Sequence, residues 1–437
     1  MDPSRRSLLL SSAAAAALGL TARAGGPSPG RPRHLVVVFA DGGWDVTFAM
    51  DPKPRDEGGL VDGPWVDEPP DHPTDREYLE VIHGIPVQCN DHKRPAVGAF
   101  FRTWGARCCV INGIWTGSIV HQPSRIRILT GTPQPSSPDF ATVVGVERSR
   151  VEDLPLATVD FSGLGYTGPF AAKSGRIGHA AQLKALLDPT TTFPAPPGAG
   201  YTLPISVPSP LEEAALSAHL ADRVAAMRER YGGSAPNDAR LDAMLESYER
   251  RDRLLAEGRV LTDPLTLGTR PDLALQADLA VELLRAGLCH TLTLAEDGPV
   301  WDTHDANHLQ HERYQLFFSA ANRLVDGLRR ADLLDETLVV LMSEMTRTPR
   351  RNWKTGKDHW SHTSMIWVGG GVQGGTVVGG TNASVESEPI DLTTGEISAA
   401  GVLNKYDNVA AGILAHMGVD PEAYLPGVPP LTAATRS

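Results

Sequence analysis

The 437-residue sequence is poor in cysteine, with four in all, and this excludes a disulfide-stapled scaffold. Cys108 and Cys109 fall in the apolar run Cys108-Cys109-Val110-Ile111, which reads as a strand. Buried free thiols are therefore expected, with a bridge from Cys89 to Cys108 or Cys109 as the alternative and Cys289 apart from both. Positive charge is also short: 40 Lys and Arg against 52 Asp and Glu give a formal net charge of −12, which argues against nucleic acid or an anionic membrane as the main partner. No segment after residue 24 stays apolar for the roughly 20 residues that a membrane helix needs, so no transmembrane anchor is expected. Internal repeats and coiled-coil heptads are absent too, which removes solenoids and long helical rods.

What is present begins at the first residues. Ser4-Arg5-Arg6-Ser7 leads into an alanine-rich apolar stretch ending at Leu20, and Ala22-Arg23-Ala24 follows. Basic pair, short apolar stretch and A-x-A-like site stand in the order of a twin-arginine export signal, so residues 1–24 read as a leader and the mature chain as periplasmic or extracellular. Ser11 and Ser12 interrupt the apolar stretch, which is too short to span a bilayer, and no cysteine follows closely enough for a lipid anchor.

Residues 33–437 read as one large α/β domain. Leu35 to Ala40 is a continuous β-branched run of the kind buried on both faces of a parallel sheet. Further strands are expected at Cys108 to Asn112, Leu154 to Val159, His290 to Leu294, Thr337 to Met342 and Thr363 to Val368. Helical patterns cover Pro95 to Gly105, Leu211 to Tyr231, Asn237 to Glu257, Pro271 to Gly287, Asn307 to Asp332 and Tyr406 to Met417. Strands alternating with helices imply a three-layer α/β/α sandwich with a mainly parallel sheet. The pair of amphipathic helices suggests a helical insertion around residues 205–260, and the Pro-, Gly- and acid-rich stretch from Met50 to Pro73 suggests a surface insertion. The tract from Phe161 to Pro210 offers little regular pattern.

Carboxylates and imidazoles gather just after the expected strands. Asp41 and Asp45 follow the first; His121 follows the Cys108 strand; Asp302, His304, Asp305 and His308 stand in Trp-Asp-Thr-His-Asp-Ala-Asn-His; Glu344, Asp358, His359 and His362 follow Thr337 to Met342. Such oxygen and nitrogen donors at the carboxyl ends of parallel strands suit a divalent cation, Zn, Mn, Mg or Ca. Simpler roles compete with this. Asp302 and Asp305 would serve as helix caps, His304, His308 and His311 fall at i, i+4 and i+7 on one expected helix with His311 solvated, and Arg347 would neutralise Glu344.

The stretch His121-Gln-Pro-Ser-Arg-Ile-Arg-Ile-Leu-Thr-Gly resembles the sulfatase active-site signature at Pro123, Ser124, Arg125, Leu129, Thr130 and Gly131, with His121 where the signature places its Cys or Ser nucleophile. Trp301-Asp302-Thr303-His304, Ser343-Glu344, Arg347-Thr348-Pro349-Arg350, Asp358-His359-Trp360, Gly369-Gly370-Gly371 and Tyr406-Asp407-Asn408 resemble the exported domain-of-unknown-function family numbered 1501. That family is similar to the alkaline-phosphatase-like superfamily of sulfatases and phosphatases. The resemblance implies the alkaline-phosphatase-like sandwich, with Asp41, Asp302, His304, Glu344 and His359 as metal ligands. Asp45, Asp305, His308, Asp358 and His362 are additional candidates. Met345 stands at a position where the superfamily has a second ligand and cannot replace it.

Together these readings lead to an exported metal-dependent hydrolase of a phosphate or sulfate ester. Its substrate would be small or polymeric, Arg125 would clamp the anion, and His121 would act as ligand or general base for a metal-activated water. A phosphorylated His121 is a third-ranked mechanism. The alternative function is a degenerate envelope protein that keeps the fold and binds a polymer or partner protein without turnover. The sequence leaves the oligomeric state open.

Overall fold

The structure, a computed structural model, describes residues 31–54, 59–68, 72–177, 184, 209–257, 260, 263–266 and 269–436. The expected leader lies outside the described residues, as does the start of the expected helical insertion. Eight strands form the main sheet. Listed across it they are β12 (Thr376–Val378), β4 (Cys108–Trp115), β11 (His362–Gly369), β8 (Thr337–Met342), β1 (His34–Phe39), β7 (Cys289–Ala295), β5 (Leu156–Asp160) and β6 (Ser174–Arg176). β1 pairs in parallel with both β7 and β8, and β5 pairs in parallel with β6 and β7. β11 alone runs against its neighbours β4 and β8.

The continuous apolar run of β1 is explained by its place at the middle of the sheet. Val36 and Val38 face one core with α1 (Pro95–Trp104), α6 (Leu273–Arg285) and α7 (Gln310–Arg330). Leu35, Val37 and Phe39 face the other with α2 (His121–Thr130), α3 (Phe140–Ser149) and α8 (Tyr406–His416). Because side chains alternate along a strand, both faces must be apolar, and each fully buried Val, Leu or Phe contributes about 1.5–3 kcal/mol. This is the three-layer α/β/α sandwich read from the sequence. All four cysteines are free and buried.

Elements without a strong periodic signal differ from the sequence reading. α3 was not expected, yet Asp139 caps it by accepting from the Thr142 amide at 2.6 Å. β2 (Tyr78–Ile82) and β3 (Ile85–Cys89) form a hairpin whose central residues, His83 and Gly84, both hold positive φ, as a two-residue hairpin turn requires. β6 and a 3₁₀ segment at Gly168–Lys173 lie in the tract that offered no pattern. The expected surface insertion begins with buried Met50 and Asp51. The expected helical pair is present as α4 (Pro210–Tyr231) and α5 (Ala235–Glu257). Arg251 and Glu213 join the two helices at 2.9 Å, and Arg253 ties α5 to Asp153 at 2.9 Å.

Candidate metal centre

Strand direction decides which side chains meet. β1, β4, β7 and β8 point the same way, so the residues that follow them, Asp41, His121, Asp302 with His304, and Glu344, emerge at one edge of the sheet. β11 runs the other way, so the segment preceding it reaches that same edge. The chain leaves β8, forms β9 (Thr346–Arg347), turns back through β10 (His359–Trp360) and enters β11, with His359 opposite Arg347 in the small antiparallel pair. This return path delivers His359.

At that edge His121, Asp302 and His359 each present a ligand atom within 4.8 Å of the other two. His359 Nε2 is 3.0 Å from Asp302 Oδ1, and His121 Nε2 is 3.4 Å from Asp302 Oδ2. His304 adjoins this group, its Nε2 lying 3.2 Å from Asp302 Oδ1 and 3.0 Å from His359 Nε2. The far side of each ring fixes its tautomer. His304 Nδ1 meets Asp358 Oδ1 at 2.8 Å, His359 Nδ1 meets the Ile119 carbonyl at 2.7 Å, and His121 Nδ1 meets Glu344 Oε1 at 2.7 Å. Carboxylate and carbonyl oxygens accept only, so each Nδ1 carries a proton and each Nε2 is left facing the Asp302 carboxylate. The Nε2 atoms of His304 and His359 then sit 3.0 Å apart, a separation that calls for a shared proton or a cation between them. Among the described residues, the buried His121 Nε2 has no hydrogen-bond partner.

The electrostatics favour positive charge there. Burial alone would lower the His121 pKa, but the flanking Asp302 and Glu344 carboxylates outweigh it and raise the value to about 9. Burial would likewise raise Asp302, yet contacts from His121 and His359 and the Arg347 guanidinium hold it well below the ordinary carboxylate range. Fully buried Arg347 is the anchor: it donates to Asp302 Oδ1 at 2.8 Å, to the Trp301 carbonyl at 2.9 Å and to the Gly43 carbonyl at 2.8 Å. Arg347 thus serves Asp302, and Glu344, which it was expected to neutralise, is held by His121, Ser343 Oγ at 3.1 Å and the Gly42 amide at 3.0 Å. Gly42 sits at φ +115°, and a Cβ there would fall 2.6 Å from the Asp302 amide, so glycine lets the loops after β1 and β7 touch.

Other sequence candidates are placed elsewhere. Asp41 is paired with Arg125, Oδ1 to Nε at 2.6 Å, and its pKa is raised to about 6 by burial and then by the Glu344 charge, with Arg125 opposing. Asp45 is buried under the cluster and pairs with Lys357 Nζ at 2.8 Å while accepting from Asn307 at 2.8 Å and Thr47 Oγ1 at 2.7 Å, so it is a saturated structural carboxylate. Asp305 is exposed and pairs with Lys354 at 2.9 Å. His308 is exposed, and no hydrogen bond or ion pair among the described residues joins His362 to the cluster. Neither Asp302 nor Asp305 caps a helix: the 3₁₀ turn Asn307–Leu309 opens after Ala306, and α7 starts at Gln310, so His304 precedes the helix. His311 is buried against Arg94, Nη1 to Nδ1 at 2.8 Å, where solvent was expected. Asp358 touches the cluster only through the far nitrogen of His304.

Two contributors carried no sequence signal for their role. The Ile119 carbonyl is a backbone group, and Asn352, which donates to the His304 carbonyl at 2.9 Å and to Asp358 Oδ1 at 3.1 Å, reads as an ordinary loop residue.

Residues 279–428 match the family described as "Protein of unknown function (DUF1501)". The matching stretch carries Asp302, His304, Glu344 and His359, whereas His121 and Arg125 precede it. No curated protein matches the sequence. Similar solved structures include Ps i-CgsB in complex with k-i-k-neocarrahexaose, at 11% identity over 91% of this chain and 75% of that one, with a TM-score of 0.41. A protein in the alkaline phosphatase superfamily from Vibrio parahaemolyticus follows at 10% identity, covering 94% and 72%, with a TM-score of 0.39. The alkaline phosphatase from the Antarctic bacterium TAB5 is similar at 10% identity, covering 89% and 99%, with a TM-score of 0.37.

Proposed function

We propose that this chain is a metal-dependent hydrolase of a phosphate or sulfate ester, exported through its twin-arginine leader and built as a single domain with α4 and α5 as an insertion. The observation that carries the reading is the pair of Nε2 atoms of His304 and His359, 3.0 Å apart, with each ring's proton held on the opposite side by an acceptor. Orientation of ligating imidazoles through Nδ1–H to carboxylate or carbonyl is how metal sites are organised. No described helix is long and apolar enough to cross a membrane.

His121, Asp302, His304 and His359 would hold the ion. A divalent ion in such a site lowers the pKa of a water and offsets charge on the ester oxygens. Asp358 and Glu344 keep His304 and His121 in the ligating tautomer. Arg125 uses Nε for Asp41, and among the described residues neither of its Nη groups donates, so that side of the guanidinium is available to an ester oxyanion. His121 occupies the position of the missing nucleophile with Nδ1 given to Glu344 and Nε2 turned toward the ion site, 3.4 Å from Asp302 Oδ2, which supports attack by water rather than by the chain.

The test is metal analysis of natively exported protein, together with hydrolysis of p-nitrophenyl phosphate, p-nitrophenyl sulfate and bis(p-nitrophenyl) phosphate with Zn, Mn, Mg and Ca. Near-stoichiometric metal and turnover of at least one ester are expected. Metal without turnover moves the reading to a non-catalytic envelope binder, and less than about half an equivalent of any ion, with no thermal shift on addition, overturns it; a ligand at a hundredfold excess over its Kd should add about 2.7 kcal/mol.

A further inference from the structure

Trp353 is 88% exposed, the most exposed large hydrophobic side chain among the described residues. It is not on a loose loop. Asn352 immediately before it accepts through Oδ1 from the amides of Lys354 at 2.9 Å and Gly356 at 3.1 Å, and its own amide donates to the Gly356 carbonyl at 2.8 Å. Through Nδ2 the same Asn352 holds the His304 carbonyl and Asp358. Gly356 then packs so closely that a Cβ would lie 1.8 Å from the His304 carbonyl oxygen. The indole is therefore presented by a turn bolted to a residue of the metal centre, and its exposure costs apolar hydration.

One face of this indole is occupied. Lys354 Nζ sits 5.3 Å from the ring centroid while pairing with Asp305, which leaves the opposite face as a flat apolar platform beside the cluster. We propose that Trp353 is the platform of a sugar-binding subsite and that the hydrolysed ester is carried on an anionic polysaccharide, a substrate class that rests on the hydrolase reading above. A pyranose offers one face of C–H groups to an aromatic ring and hydroxyls at its rim. Lys354 beside the indole and its partner Asp305 supply polar groups for those hydroxyls. A bilayer is the poorer fit, since seating Trp353 in lipid would drag the charged Lys354–Asp305 pair out of water.

The experiment is affinity electrophoresis of the metal-loaded full chain through gels containing a sulfated galactan, dextran sulfate, hyaluronate or neutral dextran, with W353A and W353F beside it. Binding to at least one anionic polymer is expected, weakened tenfold or more in W353A and largely kept in W353F, with metal content and melting temperature unchanged in both. Equal retention of W353A, or retention by none of the anionic polymers, overturns the proposal. So does Trp353-dependent sedimentation with anionic phospholipid vesicles in the absence of polymer binding, which would make the platform a membrane contact. Binding is read without turnover, so a chain that binds polymer through Trp353 but cleaves no ester refutes the hydrolase and keeps the subsite, and one that cleaves small esters without such binding does the reverse.

Discussion

Asp302 and Asp45 are two carboxylates in the loops that follow neighbouring parallel strands, and from the sequence they are equivalent. In the structure their surroundings are opposite. Asp45 is buried and saturated with donors, a lysine ammonium, an asparagine amide and a threonine hydroxyl. Asp302 receives Arg347 on one oxygen and otherwise faces the Nε2 atoms of three imidazoles whose Nδ1 sides are held by Asp358, Ile119 and Glu344. What separates a structural carboxylate from a ligating one is thus the balance of donors and acceptors around it. Residue type and spacing do not report that balance.

The largest expected effect tests the Asp302 side. Asp302→Asn removes the charge that the three imidazoles share, so the chain should lose its divalent ion and ester turnover should fall by about 10²-fold or more, as read by metal analysis and initial rates. Asp45→Asn should leave metal stoichiometry near that of the unmodified chain. If instead Asp45→Asn strips the metal and Asp302→Asn retains it, the contrast between the two carboxylates is wrong.

The Asp45 side is tested by stability. Lys357 and Asp45 are both fully buried, so Lys357→Met strands a carboxylate and should destabilise by about 3–5 kcal/mol in denaturant unfolding. Adding Asp45→Asn should recover much of the loss, because the buried charge is then gone. A single variant as stable as the unmodified chain would mean that the pair is hydrated in solution.

These contrasts mark how far the sequence could be read. The sheet was legible because β1 and β8 are unbroken apolar runs with no other place to go, and the return of β11 to the same edge follows once the sheet is drawn. The imidazoles were legible as candidates by position, since His121, His304 and His359 all follow or precede central strands. Their roles were not. Glu344 and Asp358 serve the far nitrogens of His121 and His304, a distinction of a few ångströms that depends on rotamers. His311 was misplaced because the i, i+4, i+7 spacing grouped it on one face with His304, whereas Ala306 at φ 107° holds His304 outside the helix. α3 and the β2–β3 hairpin are short elements set by local caps and turns, which periodicity over a long window averages away.

Histidines outside the cluster give a pH-dependent contrast. His34 is pushed down to about 4 by burial and then by the charges of His290 and Arg33, and His311 to about 2 by burial and then by Arg94. Both are neutral in the fold, while the unfolded chain takes up their protons below about 6.5. Their contribution is therefore fully present above pH 6.5 and is lost as pH falls toward the folded values. At pH 5 each should have cost about 2 kcal/mol. Urea unfolding of His311→Gln beside the unmodified chain should show a shallower fall in stability between pH 7 and pH 5, and parallel curves would refute the assignment.

The smallest expected effect concerns Asp358, whose carboxylate is half exposed and reaches the cluster only through His304. Asp358→Asn keeps the shape, but an amide accepts the Nδ1 proton through oxygen less strongly than a carboxylate does and offers a competing NH₂ if it turns. The His304 tautomer is then less firmly set, and metal affinity should fall by about tenfold with little change in melting temperature. Asp305→Asn, on the neighbouring exposed carboxylate that pairs with Lys354, should leave metal affinity unchanged. Competition with a chelator across both variants reads the difference directly. A tenfold loss in Asp358→Asn alone assigns the orienting role to that carboxylate, whereas equal losses would mean that the exposed acids act only through their summed charge near the ion, and the distinction between orienting and bystander carboxylates would fail at this edge of the site.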